Sequence, residues 1–569
     1  MLPFNPHARS AKLPSLILWL ALGVLLLAET LLNLTPPITR DALVHHLAIP
    51  KLWLARGGIF EMPWAEFSYF PMNIDLLYVV CLWLGSDQAC KFVHFAFGTA
   101  TGFLVYRYLQ PRLDRVWALL GMFIFVSTPL VIWLATSAYV DLGMTFFTTG
   151  SLLAFLRWRE GGYQSFGPLL LSAVCMGLAL GCKYNALIAW CFVNLMIVHS
   201  FARDTLRQVQ ALKFGLIFGL AAFLTASPWY VRNFWLTGNP FHPLFSGVFN
   251  VIGPQPSREL MERLLIRDPL GISFFQLREI LYGESLWQTL LIPLRMFFQG
   301  QDDSYRYFQG VLNPILILFL PFALAGKRFR RDALSLAGFA LFFTALAYFL
   351  TAQQVRYLMP IFPCLAILAV LGIHQAAGWC GGMTLRQDGW RRRMCGAILL
   401  AAVIGMLGFN FFYMGRRLAV IDPFEFIGGQ ETRREFLGRH LDVYPAFEFV
   451  NRRLPEQSSV FLVFLGRRGY YLDKPYRHEP SFGMKTVRRL VRASHAPLAF
   501  DHAASAIGTT HLLMHTAIFR KYLVDNFSRE EIERSLALMN ARWKIVFEAN
   551  GYTLWDMQLW RTAADRPTS

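Results

Sequence analysis

Residues 116–156 read VWALLGMFIFVSTPLVIWLATSAYVDLGMTFFTTGSLLAFL, and Asp141 is the one charged side chain among them. An apolar run of about 20 residues crosses a bilayer as a helix, so this stretch is long enough for two crossings. A charge at the membrane centre costs several kcal/mol, which puts the break at Thr136-Ser137-Ala138-Tyr139-Val140-Asp141, at an interface. Residues 166–201 repeat the pattern, with Lys183-Tyr184-Asn185 as the break. Working outward on the same criterion, spans fall near 13–34, 89–108, 116–135, 138–157, 166–182, 184–201, 212–230, 307–325, 333–351, 357–376 and 394–414. The reading is a polytopic α-helical membrane protein of about eleven transmembrane helices.

Composition agrees with this. Of 569 residues, 55% are hydrophobic, 15% aromatic and 16% charged, and mean hydropathy is +0.40. Soluble domains carry about a quarter charged residues, so a soluble enzyme is excluded. The net charge of +18 sits mostly in loops between apolar runs, which points to a membrane surface and not to nucleic acid. The first apolar run, from Leu13 to about Leu34, exceeds a signal-peptide core and reads as an uncleaved span. The cysteines stop at Cys395 and show no zinc-ligand spacing.

Lys and Arg in short loops set orientation. Arg107, Arg112 and Arg115 share a side with Arg157 and Arg159, with Arg203 and Arg207, with Lys327 to Arg331, and with Arg386 to Arg393. All lie on the N-terminal side if segment 71–86, which carries Asp75, lies along the interface without crossing. That side is expected to be cytoplasmic, in a bacterial plasma (inner) membrane. The outer side then holds a first loop (35–88), a loop of 231–306, and everything beyond the last span. Residues 1–415 form the membrane module. Residues 416–569 alternate strand-like runs (459–465, 510–515, 543–547, 552–557) with helical ones (444–454, 529–538), which predicts a small extracytoplasmic α/β domain.

Polar residues gather on the outer face. The first loop carries Asp41, His45 and His46 at helical spacing. Alone, they read equally as a helix-capping aspartate and two interfacial histidines. Together they offer a general base at the membrane edge. Asp141 is a second carboxylate, a cap or a catalytic group. Lys183, Arg232 and Arg356 are interfacial anchors, or cations gathered for an anion such as a lipid phosphate.

These stretches carry a resemblance: Asp41-Ala-Leu-Val-His45-His46-Leu-Ala-Ile-Pro50-Lys51, Ala138-Tyr139-Val140-Asp141, Gly181-Cys-Lys183-Tyr184, Pro228-Trp-Tyr-Val-Arg232-Asn233 with Gly238-Asn239-Pro240, and Arg356-Tyr357-Leu-Met-Pro360. In order and spacing they resemble the GT-C superfamily, and more narrowly the family 39-like glycosyltransferases that use polyprenyl-phosphate sugars. Aminoarabinose transferases and protein O-mannosyltransferases are relatives there. The resemblance implies a GT-C-like fold and inverting transfer of a sugar from a polyprenyl-phosphate donor to a hydroxyl of a lipid, glycan or protein. It implies catalytic roles for Asp41, as base, and Asp141. Lys183, Arg232 and Arg356 fall where phosphate-binding cations are expected, and His45, His46, Tyr184 and Tyr357 adjoin them as substrate-binding candidates. Several relatives place a second acidic residue beside the first, whereas Asp41 is flanked by Arg40 and Ala42. A divalent metal is therefore left open, with Asp302-Asp303 as the other acidic pair to consider. The alternatives are a transporter or flippase of lipid-linked sugars, which predicts mid-span charges and internal repeats, and a non-catalytic envelope scaffold of the same fold.

Overall fold

The computed structural model describes residues 12–245, 248–249, 274–350, 354–382, 389–479 and 484–558; part of the 231–306 loop (246–247 and 250–273), Gln353 and Arg386 lie outside them. Among these residues five helices are long and apolar enough to cross a membrane: Lys12–Asn33, Ala186–Thr205, Gln208–Thr237, Val355–Cys380 and Arg393–Ile421. A sixth is the pair Arg115–Val126 and Pro129–Ala135, bent by 67°. Asp114 starts that pair by accepting from the Val116 and Trp117 N–H groups at 2.8 and 3.1 Å. Pro129, at the first turn of the second helix, has no N–H to continue the first.

Helices also occupy the other expected positions, at Asp87–Leu109, Asp141–Glu160, Phe166–Leu180, Ile315–Ala325 and Arg330–Leu350. They are too short or not apolar enough to count as crossings by length and composition alone, so five or six such spans stand among the described residues. Several are packed by small and hydroxylated side chains: Ser151 and Ser172 hydroxyls meet at 3.1 Å, and a Cβ on Gly177 would collide with the Ala222 carbonyl. Close backbone approach of this kind is how helices associate where water supplies no hydrophobic drive. Burial divides the helices further. Residues 358–373 are buried throughout, whereas Arg393–Ile421 is apolar yet mostly exposed, a surface suited to lipid. Segment 71–86 contains a helix of 11 residues, Asn73–Trp83. At 1.5 Å per residue that covers roughly half of a hydrocarbon core.

Arg159 pairs with Asp332 at 2.6 Å, and the Tyr108 hydroxyl donates to the same carboxylate at 2.7 Å. Those contacts bring three of the basic loops to one end of the bundle.

The last helix of the bundle, Gly389–Ile421, runs past residue 415. Beyond it lies a five-stranded mixed sheet of β1 (Val460–Val463), β2 (Tyr476–His478), β3 (His511–His515), β4 (Lys544–Ala549) and β5 (Tyr552–Asp556), in the order β2-β1-β3-β5-β4. β1 is parallel to β2 and β3, while β5 is antiparallel to β3 and β4. Side chains alternate across the sheet. Phe461, Val463, Leu512 and Met514 face helices carrying Leu490, Phe500, Phe519 and Met539. Val460, Leu462, Leu513 and Leu554 face Phe447 and Val450 of Tyr444–Arg453. β2 was not expected from the sequence, because its three residues are too few to show a period.

The loop after β1 docks on segment 35–88. Gly469 and Tyr470 N–H groups donate to the Leu43 carbonyl at 3.1 and 3.2 Å, and the Tyr471 hydroxyl donates to the Pro37 carbonyl at 2.7 Å. Lys51 donates to the Tyr470 and Leu472 carbonyls, both at 2.9 Å.

Candidate active site

Residues Ala42–His46 wind as a π-helical turn, in which the Leu47 N–H donates to the Ala42 carbonyl at 2.9 Å. Such wide turns recur at functional sites because they re-aim neighbouring side chains. Asp41 precedes the turn but makes no side-chain capping bond, so the capping reading fails. Its carboxylate pairs with the Arg356 guanidinium at 2.6 Å, and its N–H donates to the Tyr139 hydroxyl at 3.2 Å.

Arg356 is held from behind, donating to the Gln354 side chain at 2.6 Å and lying 5.1 Å from the Tyr139 and Tyr357 ring centres. Burial pushes the Asp41 carboxyl up, but Arg356 and then His45 and His46 overrule it and hold the group well below the usual carboxylate range.

A second ion pair stands beside the first. Lys183 donates to Asp141 at 2.7 Å and lies 4.5 Å over the Tyr357 ring. Asp141 itself is fully buried, with one carboxylate oxygen lacking a partner among the described residues.

His46 Nδ1 lies 2.8 Å from an Asp75 oxygen, and His45 stacks on Phe67 with ring centres 4.4 Å apart. Burial drives both imidazoles down to about 3. It pushes the Asp75 carboxyl up to about 7. Both members of the Asp75–His46 pair thus favour neutral forms.

Asp41, His45, His46, Asp75, Lys183, Arg356 and Tyr357 line one cavity of about 330 Å³ with Phe67, Phe70, Val140 and Cys182. Arg40, Tyr305 and Arg467 line it too, the last from the docked loop after β1. Three of the expected site residues lie off this lining. Asp141 does not line the cavity but lies behind Lys183, where it orients a cation. Arg232 also lies outside, donating to the Ser68 carbonyl at 3.0 Å. The Tyr184 hydroxyl donates to the His242 carbonyl at 2.8 Å and accepts from Asn233 at 2.9 Å, bracing outer segments without reaching the cavity.

Asp302 accepts from the Tyr413 hydroxyl at 2.7 Å and is not a cavity residue. No three His, Cys, Asp or Glu side chains converge in metal-ligand fashion among the described residues.

Sequence reasoning missed Asp75, although a carboxyl in an apolar helix is itself a functional signal. It also missed His94, which accepts from the Leu142 N–H at 2.9 Å and so fixes the turn that carries Asp141. Nothing in the order of residues tied Arg467 to the first loop.

Chemically, the cavity offers four cations, of which Lys183 and Arg356 are each paired closely with a carboxylate, beside an imidazole pair and apolar walls. It suits an anion with an apolar tail.

Residues 84–240 match the model of the dolichyl-phosphate-mannose-protein mannosyltransferase family. No individual curated protein matches the chain in sequence. In structure the chain is similar to ArnT from Cupriavidus metallidurans bound to undecaprenyl phosphate, at 15% identity and TM-score 0.53, covering 94% of this chain and 97% of that one. The apo form of the same protein gives 13% identity and 0.54, covering 95% and 97%. The apo oligosaccharyltransferase from Archaeoglobus fulgidus gives 11% and 0.50, covering 90% and 72%. At such identities these likenesses concern fold, whereas the match over 84–240 is one of sequence. Over 84–240 the chain is thus similar in sequence to that mannosyltransferase family, and over nearly its whole length it is similar in fold to ArnT.

Proposed function

We propose that the protein transfers a sugar from a polyprenyl-phosphate donor to a hydroxyl of a lipid, glycan or protein at the outer membrane face, with inversion at the anomeric carbon. The observation that carries this reading is the pairing of Arg356 with Asp41 beside Lys183 in one cavity. Two cations next to a carboxylate are what transfer off a phosphate needs. The acceptor O–H gives its proton to Asp41 while its oxygen attacks the anomeric carbon. The bond from that carbon to the phosphate oxygen breaks, and its electron pair leaves on the phosphate, where Lys183 and Arg356 balance the charge. One displacement inverts the centre.

This reading includes eleven crossings, a cytoplasmic N-terminus and an extracytoplasmic C-terminal domain in a bacterial plasma membrane. The test is to give the purified protein a panel of undecaprenyl-phosphate sugars and follow release of undecaprenyl phosphate with candidate acceptors. Release with at least one donor supports the reading. No release from any donor, with no binding of undecaprenyl phosphate, overturns it.

A further inference from the structure

Asp41 shares its charge with Arg356 at 2.6 Å, which makes it a poor place for a proton to stay. A better one lies in the same cavity. Asp75 and His46 are both almost fully buried, and each meets the other at 2.8 Å. The ring nitrogen Nε2 of His46 has no hydrogen-bond partner among the described residues, and His46 lines the cavity with Asp41.

We infer that Asp75 and His46 form the station to which the acceptor's proton passes from Asp41, an inference that rests on the transfer reading above. As the O–H bond breaks, the proton goes to Asp41 and then to Nε2 of His46. Asp75 holds Nδ1 and balances the new charge, acting as a positioning residue. The proton leaves through the cavity before the next turnover, so the balance closes without another reactant.

The surroundings fit this assignment. The charged or titratable groups facing the pair include Asp41, His45, Tyr78, His94, Tyr139, Asp141, Cys182, Lys183 and Arg356, from the first loop, the helices Asn73–Trp83 and Asp87–Leu109, the Asp141 turn, the Lys183 turn and the Arg356 turn. Asp41 and Asp141 favour a proton on His46, Lys183 and Arg356 oppose it, and burial opposes it most. Burial also raises Asp75, to about 7, so the pair takes up one proton near neutrality. A proton acceptor poised near the working pH is the efficient one.

Uptake of one proton removes the Nε2 lone pair whichever residue holds it. If Asp75 is protonated it donates to Nδ1, and Nε2 carries the hydrogen. Otherwise the ring is an imidazolium. Reactivity of Nε2 therefore reads the pair and needs no sugar donor.

The experiment is carbethoxylation of His46 by diethyl pyrocarbonate in the purified full-length protein, followed by mass spectrometry from pH 5 to 9. The expected midpoint lies near 7, and in Asp75→Asn it moves down by at least one pH unit or the reactivity is lost. Alongside, kcat of Asp75→Asn and His46→Ala with an undecaprenyl-phosphate sugar from the panel is expected to fall at least tenfold. Donor KM stays within about twofold, and imidazole partly restores His46→Ala. A midpoint that Asp75→Asn leaves in place, or a wild-type kcat in that variant, overturns the assignment and spares the transfer reading. No turnover with any donor, together with no binding of undecaprenyl phosphate, overturns both.

Discussion

Asp41 and Arg356 meet at 2.6 Å in the cavity that Lys183 also lines, so the group that is to act as base neutralises a cation that is to hold phosphate. An arriving phosphate competes with Asp41 for that guanidinium. Each bond it gains there loosens the carboxylate, which regains basicity as the donor settles. Binding of the donor and activation of the base are then one event.

Asp41→Asn separates the two. Asparagine keeps the shape and lacks the charge, so it competes less for Arg356. A general base contributes about 10²–10⁴-fold in rate. The variant is expected to turn over at least about a hundredfold more slowly while binding undecaprenyl phosphate several-fold more tightly. Turnover and lipid titration on one preparation check both, and a wild-type rate would remove Asp41 from the chemistry.

Lys183 and Arg356 line the cavity, whereas Arg232 lies off it and donates through one terminal nitrogen to the Ser68 carbonyl. A charge-assisted contact is worth about 1.5–3 kcal/mol, or roughly tenfold and more in affinity. Lys183→Ala and Arg356→Gln should therefore weaken undecaprenyl-phosphate binding by at least that factor. Arg232→Ala should leave binding near wild type and lower the melting temperature. Equal losses in all three would place Arg232 at the phosphate.

Much of this was legible in the order of residues, for physical reasons. The Asp141 and Lys183 breaks are readable because charge is excluded from the membrane centre, and the structure puts the two residues 2.7 Å apart. The strands at 460–463 and 511–515 showed themselves as apolar runs in a polar region. What a single chain hides is pairing across distance. Nothing local says that Asp41 takes Arg356 as partner, that Asp75 takes His46, or that Arg467 swings in from another domain. An arginine at a helix end, such as Arg232, reads the same in sequence whether it meets a phosphate or a backbone carbonyl.

The Asp41–Arg356 pair also makes stability depend on pH. The folded-state Asp41 carboxyl is depressed by Arg356 despite burial. Its contribution is therefore present above the unfolded pKa, about 3.9, and is lost as pH falls toward the folded value. Detergent-solubilised wild type should melt higher than Asp41→Asn at pH 7, and the gap should narrow below pH 4. A gap that is constant from pH 7 to pH 3 would mean that the charge contributes nothing.

Topology has its own check. Lys327 and Ser505 are both exposed, the first in a basic loop and the second in the C-terminal domain. In intact cells Lys327→Cys should resist a membrane-impermeant thiol reagent, and Ser505→Cys should react, each site read by mass spectrometry against the native cysteines. Labelling of position 505 only after lysis would reverse the C-terminal side, and segment 71–86 would then have to cross.

The last prediction concerns the loop that brings Arg467 to the cavity. Gly466 and Arg467 have φ of +64° and +63°, a left-handed stretch that turns the chain back onto the first outer loop. Two residues on, a Cβ at Gly469 would collide with the Tyr476 ring of β2, so only glycine lets the loop lie flat between that ring and the Leu43 carbonyl. Gly469→Ala must either displace the buried tyrosine or lift the loop. Overpacking of this kind costs about 1–3 kcal/mol, and lifting the loop draws Arg467 away from the site. The variant is expected to melt lower and to lose most turnover, with the bundle still inserted. Gly438→Ala is the control, since nothing lies within 4 Å of its Cβ and it sits in the helix Arg433–His440. Alanine there favours the helix by about 1 kcal/mol, so stability should hold or rise. If Gly469→Ala keeps wild-type turnover, the docked loop is no part of the working site.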